Sequence, residues 1–177
     1  MIPIRLTLSG FLSYRDPVEI DFTSFDLACI SGSNGAGKSS LLDAITWVLF
    51  GQARKRDDSL INLQTTAAEV SLEFAYENNT YRVLRARPRG KTGALEFHIR
   101  QPSGGWKPLT ERTQADTQAR IQETLRLDYD TFINAAFFLQ GKADQFTTET
   151  PTRRKQILSS ILGLEQWEAY RQRAADR

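Results

Sequence analysis

Eight consecutive residues constrain this chain more than anything else in it: Gly32-Ser33-Asn34-Gly35-Ala36-Gly37-Lys38-Ser39, which fits G-x-x-x-x-G-K-[ST] at every fixed position. Glycines at these spacings let the backbone curl until successive N–H groups converge on one anion, and a helix starting at Lys38 adds its positive end. Lys38 then reaches the outer phosphates of a nucleotide as a point charge. Ser39 offers a hydroxyl to Mg²⁺, and Ser40 a hydrogen bond near the innermost phosphate. The flanks agree. Leu27-Ala28-Cys29-Ile30 is a short apolar run that reads as a strand covered on both faces, with Cys29 a buried thiol. Leu41, Leu42, Ile45, Val48 and Leu49 recur at helical spacing until Gly51, which predicts a helix over Lys38 to Phe50.

Around that unit the chain alternates like a sheet. Ile2, Ile4, Leu6 and Leu8 share one face at period two, and Val18 to Phe22 repeats the pattern after a turn. Glu69 to Tyr76, Thr80 to Arg87 and Ala94 to Gln101 predict an antiparallel meander, forming a second sheet apart from the phosphate-binding unit. Helices are expected over Thr110 to Arg126 and Asp130 to Ala136. Another is expected after Thr150, a good N-cap followed by Pro151 at the first helical position. With one cysteine the chain has no internal disulfide and no cysteine-built zinc site. No apolar run is long enough to span a bilayer and no secretory leader is visible, so a cytoplasmic protein is expected.

Net charge is only +2, but it is unevenly placed: eight positive and two negative residues lie between Tyr81 and Arg112. Arg85, Arg87 and Arg89 are therefore candidates for sequence-insensitive contacts to a DNA backbone, weighed against a solvated outer strand face. His98 falls in a candidate strand and reads as a sheet-face residue rather than a catalytic base.

Asn34-Gly35-Ala36-Gly37-Lys38-Ser39-Ser40-Leu41-Leu42-Asp43-Ala44-Ile45 resembles the SMC-like ATPases, in particular the SbcC-type subunit of the SbcCD double-strand-break repair nuclease. Gly10-Phe11-Leu12-Ser13-Tyr14, then Glu19-Ile20-Asp21-Phe22, is similar to that family's opening strands. Trp47 to Gly51 with Arg54 and Arg56 is similar to its first helix and basic loop. Phe138-Leu139-Gln140-Gly141 is similar to its Q-loop. The resemblance implies an α/β P-loop NTPase of ABC-type, SMC-like form. It has a mixed core sheet, an antiparallel β meander and C-terminal helices leading to a coiled coil. Residues 1–163 would form the N-terminal lobe of an ATPase head and 164–177 the start of the coiled coil.

Carried onto this sequence, the resemblance makes Lys38 and Gln140 catalytic and Ser39 and Gln140 ligands to Mg²⁺. Ser13, Asn34, Gly35, Ala36, Gly37, Lys38, Ser39, Ser40 and Asn62 would hold ATP. Asn62 sits in the stretch Ile61 to Leu63 that would lie near the adenine. Leu12 stands where many relatives carry a basic residue. A Walker B strand, a signature loop and a switch histidine do not occur in this sequence. The resemblance therefore implies an ATPase in the full-length protein and a fragment inactive alone, completed by its own C-terminal lobe. Further implied partners are a second head in a homodimer, an SbcD-type nuclease subunit and double-stranded DNA, with no membrane. An ATPase module of another kind, from a transporter or a RecF-like protein, is the alternative.

Overall fold

The computed structural model describes residues 1–55, 57–135, 150–161, 171, 173 and 174. Two compact units emerge, Met1–Leu125 and Arg126–Arg177.

The first unit is built on a six-stranded sheet of order β2-β1-β3-β4-β5-β6. Its strands are β1 (Ile2–Ser9), β2 (Val18–Asp21), β3 (Ala67–Tyr76), β4 (Asn79–Pro88), β5 (Ala94–Arg100) and β6 (Trp106–Pro108). All pairings among the described residues are antiparallel. Register follows from the alternation: Leu6 faces Leu72, which faces Val83, which faces Phe97, so the apolar residues of four strands share one side. The turn between β3 and β4 is Glu77-Asn78, both at positive φ, the geometry that matches strand twist in a two-residue hairpin. Phe74, Tyr81 and Phe97 stack across the strands at 5.7 and 5.5 Å, contacts worth about 0.5–1.5 kcal/mol each beyond the area they bury.

Helix α1 (Lys38–Phe50) lies on that apolar face, over β3 and β4, and buries Leu41, Ala44, Trp47, Val48 and Leu49. It ends as its sequence predicts: Gly51, at φ 71°, donates to the Trp47 carbonyl at 2.8 Å. Helix α2 (Gln114–Leu125) covers the same face beside β5 with Thr117, Ile121 and Leu125. It starts later than Thr110 because Thr110 is held in the sheet, its hydroxyl accepting from the Phe97 N–H at 2.9 Å. Thr113 then caps it, accepting from the Asp116 N–H at 3.1 Å.

Two expectations are corrected. The meander is not a separate sheet, since β3 pairs with β1 along its length. Period-two residues on β1 and β3 share one face, so one sheet buries both sets. Nor do residues 27–30 form a strand. Leu27 is 93% and Ile30 50% exposed, and Cys29 is exposed as well. A strand of that kind needs hydrogen-bonded neighbours and cover on both faces; β2 closes the sheet on this side, and no described segment pairs with 27–30.

In the second unit, α3 (Tyr129–Ala135) begins at Asp128, whose carboxylate accepts from the Thr131 N–H at 2.7 Å. Helix α4 (Pro151–Ile161) opens on proline, as expected from Thr150-Pro151. Gln140 and Arg56 lie outside the described residues. Among the described residues no helix is long and apolar enough to cross a membrane.

Candidate functional site

The phosphate-binding sequence turns on three glycines: Gly32, Gly35 and Gly37 have φ of 152°, 85° and 93°. Gly37 admits nothing larger, because a Cβ there would meet Ser13 at 3.0 Å and the Tyr14 ring at 3.2 Å. Above Gly35 a Cβ would meet nothing within 4 Å, so the loop's outer side is open. Gly37 is also the N-cap of α1 and supplies no side-chain acceptor to its first-turn amides. The Ser40 N–H donates back to the Gly37 carbonyl at 2.9 Å, which leaves the amides of Lys38 and Ser39 for an external anion. From Ser31 to Leu42 there is no acidic residue to oppose one.

Lys38 folds back on this loop, its ammonium donating to the carbonyls of Gly32 at 2.7 Å and Ser33 at 2.8 Å. These are neutral acceptors, which a phosphate oxygen would replace with a stronger bond in which both partners are charged. The Ser39 hydroxyl makes no hydrogen bond to the described residues and is half-exposed. Among the described residues no cluster of carboxylates, histidines or cysteines could hold a metal alone. The loop fits an anionic phosphate tail carrying its own cation.

Beside α1 lies a cavity of about 720 Å³ whose lining includes Leu12, Ser13, Ser40, Arg54, Asn62 and Leu63. The wall is assembled from distant parts of the chain. Leu12, at φ 49°, carries the loop after β1 outward, and its N–H donates to the Leu60 carbonyl at 2.7 Å. The Asn62 side chain donates back to the Leu12 carbonyl at 2.7 Å, while its own N–H donates to the Gly10 carbonyl at 2.8 Å. Ser13 lies 3.4 Å from the Ser40 hydroxyl, and the Tyr14 hydroxyl donates to the Gly37 carbonyl at 3.4 Å. Burial raises the Tyr14 phenol above its ordinary value, so it remains a donor.

Asn62→Ala is expected to lower stability by about 1–2 kcal/mol, because the half-buried Leu12 carbonyl loses its donor. Urea denaturation should show a lower midpoint at unchanged slope.

Of the site residues expected from sequence, Ser13, Ser40 and Asn62 share this cavity. Asn34, Gly35 and Ala36 lie in the exposed loop leading to Lys38 and Ser39. Two participants escape the sequence reading. Asp43 is 3% exposed on the buried side of α1 and holds Arg54 through contacts of 2.6 Å, fixing the basic loop against the cavity. A carboxylate inside an apolar helical stripe is the signal that could have found it. Tyr14 is the other, and nothing local marks it.

The arginine trio does not form a free basic surface. Arg85 points inward with Tyr81 and Val83, on the core side of β4, donating to the Val48 carbonyl at 3.3 Å and to Gln118 at 2.5 Å. Period two places it there, since Val83 and Arg85 share a face. Arg87 pairs with Asp57 and Asp58, and Arg89 donates to the Asn62 carbonyl at 3.3 Å. The Gly90 N–H and Arg87 together hold the Asp58 carboxyl below its usual range. His98 lies on the outer face of β5, as expected, and burial together with Arg82 lowers its pKa.

An open glycine loop at an uncapped helix start, set on an α/β scaffold beside a cavity, defines a P-loop nucleotide-binding domain. The chain belongs to the family described as AAA domain, whose model matches residues 5–174. It is 32% identical over 182 residues to the SbcC subunit of the nuclease SbcCD of Deinococcus radiodurans, covering 100% of this chain and 20% of that protein. Against the DNA double-strand break repair Rad50 ATPase of Thermoplasma volcanium it is 33% identical over 172 residues, covering 96% of the chain and 18% of the relative. The chain thus spans about a fifth of the length of these relatives. The resemblance to SbcC-type ATPases read from the motifs agrees with them. Among solved structures, the ATP-bound recombination mediator protein RecF superposes with a TM-score of 0.51 at 16% identity, over 90% of this chain and 37% of that one, a likeness of fold alone.

Proposed function

We propose that this chain is the ATP-binding half of a DNA double-strand-break repair ATPase head. The observation that carries the reading is the P-loop itself: a helix start with no side-chain cap, a glycine curve open to solvent, and Lys38 held, among the described residues, only by neutral carbonyls. Lys38 and the loop amides bind the β- and γ-phosphates, and Ser39 ligates Mg²⁺. The cavity walled by Ser13 and Asn62 receives the nucleoside. Gln140 senses the γ-phosphate from the segment preceding α4.

Residues 1–163 form the N-terminal lobe and 164–177 lead into a coiled coil. A C-terminal lobe, bringing the acidic groups that support Mg²⁺ and activate water, completes the ATPase. ATP then draws two heads together and gates an SbcD-type nuclease acting on double-stranded DNA in the cytoplasm. The names of the relatives, a nuclease subunit and a DNA double-strand break repair ATPase, support the links to a nuclease, to ATP and to DNA repair. Arg87 and Arg89, at the rim rather than in the core, remain the candidates here for the DNA backbone.

Calorimetric titration with Mg-ATP is expected to show one site per chain, weakened at least tenfold by EDTA. Supplying a C-terminal ATPase half in trans is expected to restore turnover. Absence of magnesium-dependent ATP uptake by the reassembled head would remove the reading.

A further inference from the structure

Arg85 is largely buried beneath the far end of the helix that carries the P-loop, and among the described residues it pairs with no carboxylate. Its partners are a helix carbonyl and an amide. Nε donates to the Val48 carbonyl at 3.3 Å, in the last turn of α1. A second guanidinium nitrogen donates to the Gln118 Oε1 at 2.5 Å, and the Gln118 amide donates in turn to the Leu49 carbonyl at 2.8 Å. The guanidinium also lies 5.9 Å from the centre of the Trp47 ring. Gly51 permits the approach: a Cβ there would stand 3.3 Å from an Arg85 nitrogen. Three elements meet at this point, namely the end of α1, strand β4 and helix α2.

A cation largely removed from water with no counter-ion is a costly way to fill a core. Burial lowers the Arg85 pKa to about 10, which still leaves it charged at neutral pH. Electrostatics accounts for where it sits. The C-terminal carbonyls of α1 form the negative end of a helix dipole whose positive end is the P-loop. Arg85 neutralises one end of the 13-residue helix while a phosphate tail would neutralise the other. The helix is stiff, so fixing its last turn along the axis also fixes its first.

We propose that Arg85, with Gln118, is a positioning residue for the phosphate loop, clamping the C-terminal turn of α1 to β4 and α2 so that the first-turn amides stand where a phosphate can use them. This rests on reading the loop as a Mg-ATP site, and its test separates the two.

Arg85→Met fills the same space without charge, and loss of a lone buried cation offsets the lost hydrogen bonds. Its melting temperature is therefore expected to stay within about 3 °C of wild type. Its Kd for Mg-ATP is expected to rise about tenfold, and amide exchange at Ser40 and Leu41 to accelerate about tenfold even without nucleotide. Gln118→Met keeps a good helix former and opens only the clasp, with a rise in Kd of about threefold. Arg85→Lys retains the charge and is expected to bind within about threefold of wild type.

A folded Arg85→Met protein with wild-type Kd and exchange overturns the proposal, as does a Lys variant no better than Met. Should Arg85→Met not fold, Gln118→Met decides, and wild-type affinity there overturns it. If wild-type protein takes up no nucleotide, the Mg-ATP reading fails. The exchange rates in ligand-free protein then still decide on the clamp.

Discussion

Lys38→Ala is expected to raise the Kd for Mg-ATP by about a hundredfold or more while leaving the melting temperature within about 2 °C of wild type. The two halves of that expectation come from different observations. Among the described residues the ammonium makes hydrogen bonds only to the carbonyls of Gly32 and Ser33, at the solvent-facing loop, so the core loses nothing when it goes. Affinity depends on it because the phosphates bring several negative charges to a loop in which, from Ser31 to Leu42, Lys38 is the one cationic side chain. The amides of α1 contribute partial charges, fixed by the backbone; Lys38 contributes a whole one. Losing a charge-assisted hydrogen bond costs about 3 kcal/mol, which is close to the hundredfold. Lys38→Arg is expected to rescue poorly, since a planar fork cannot enter a curve shaped for a point charge. A Kd for Lys38→Ala within threefold of wild type would mean that the loop does not bind phosphates through this residue.

Much of the site could be read from the order of residues because a P-loop is local. Its glycines, lysine and helix are contiguous, and each enforces its geometry through neighbours a few positions away. Helix α1 shows this: apolar spacing marks its body, and Gly51 stops it where expected. The strands of the meander were legible for the same reason, period two being a local property. What needed coordinates was anything joined across the chain. The bond from Asn62 to Leu12 spans 50 positions and the link from Gln118 to Leu49 spans 69, and no pattern within either segment announces its partner.

Arg85 is the clearest case. Its place in a basic run suggested an outward face, but a residue two positions from Val83 on a strand must share that residue's side. Taken seriously, period two would have turned it inward. Residues 27–30 failed in the opposite sense: apolar composition describes what a segment would bury, not whether the partners it needs lie within the same stretch of chain.

Gly10→Ala is expected to destabilise the first unit by about 3 kcal/mol, the largest effect on stability anticipated from one methyl group here. Gly10 sits at φ 61°, where an L side chain is already strained by about 1–2 kcal/mol. A Cβ built there would lie 2.0 Å from the Ala67 carbonyl oxygen and 3.1 Å from its carbon. That neighbour is backbone at the start of β3 and cannot rotate aside, unlike the Thr65 hydroxyl 2.9 Å away. Relief requires β1 and β3 to part at this end, breaking the bonds Gly10 makes with Arg15 and Asn62. The consequence reaches function because that loop carries Ser13 and Tyr14, which back Gly37. Thermal unfolding should show a midpoint lower by roughly 10 °C. Below it, the Kd for Mg-ATP should rise in the surviving folded fraction, since the loop behind Gly37 has moved. A midpoint within about 2 °C of wild type would mean the backbone here yields far more easily than a packed strand pair can, and that the ordering of the Ser13 loop owes little to Gly10.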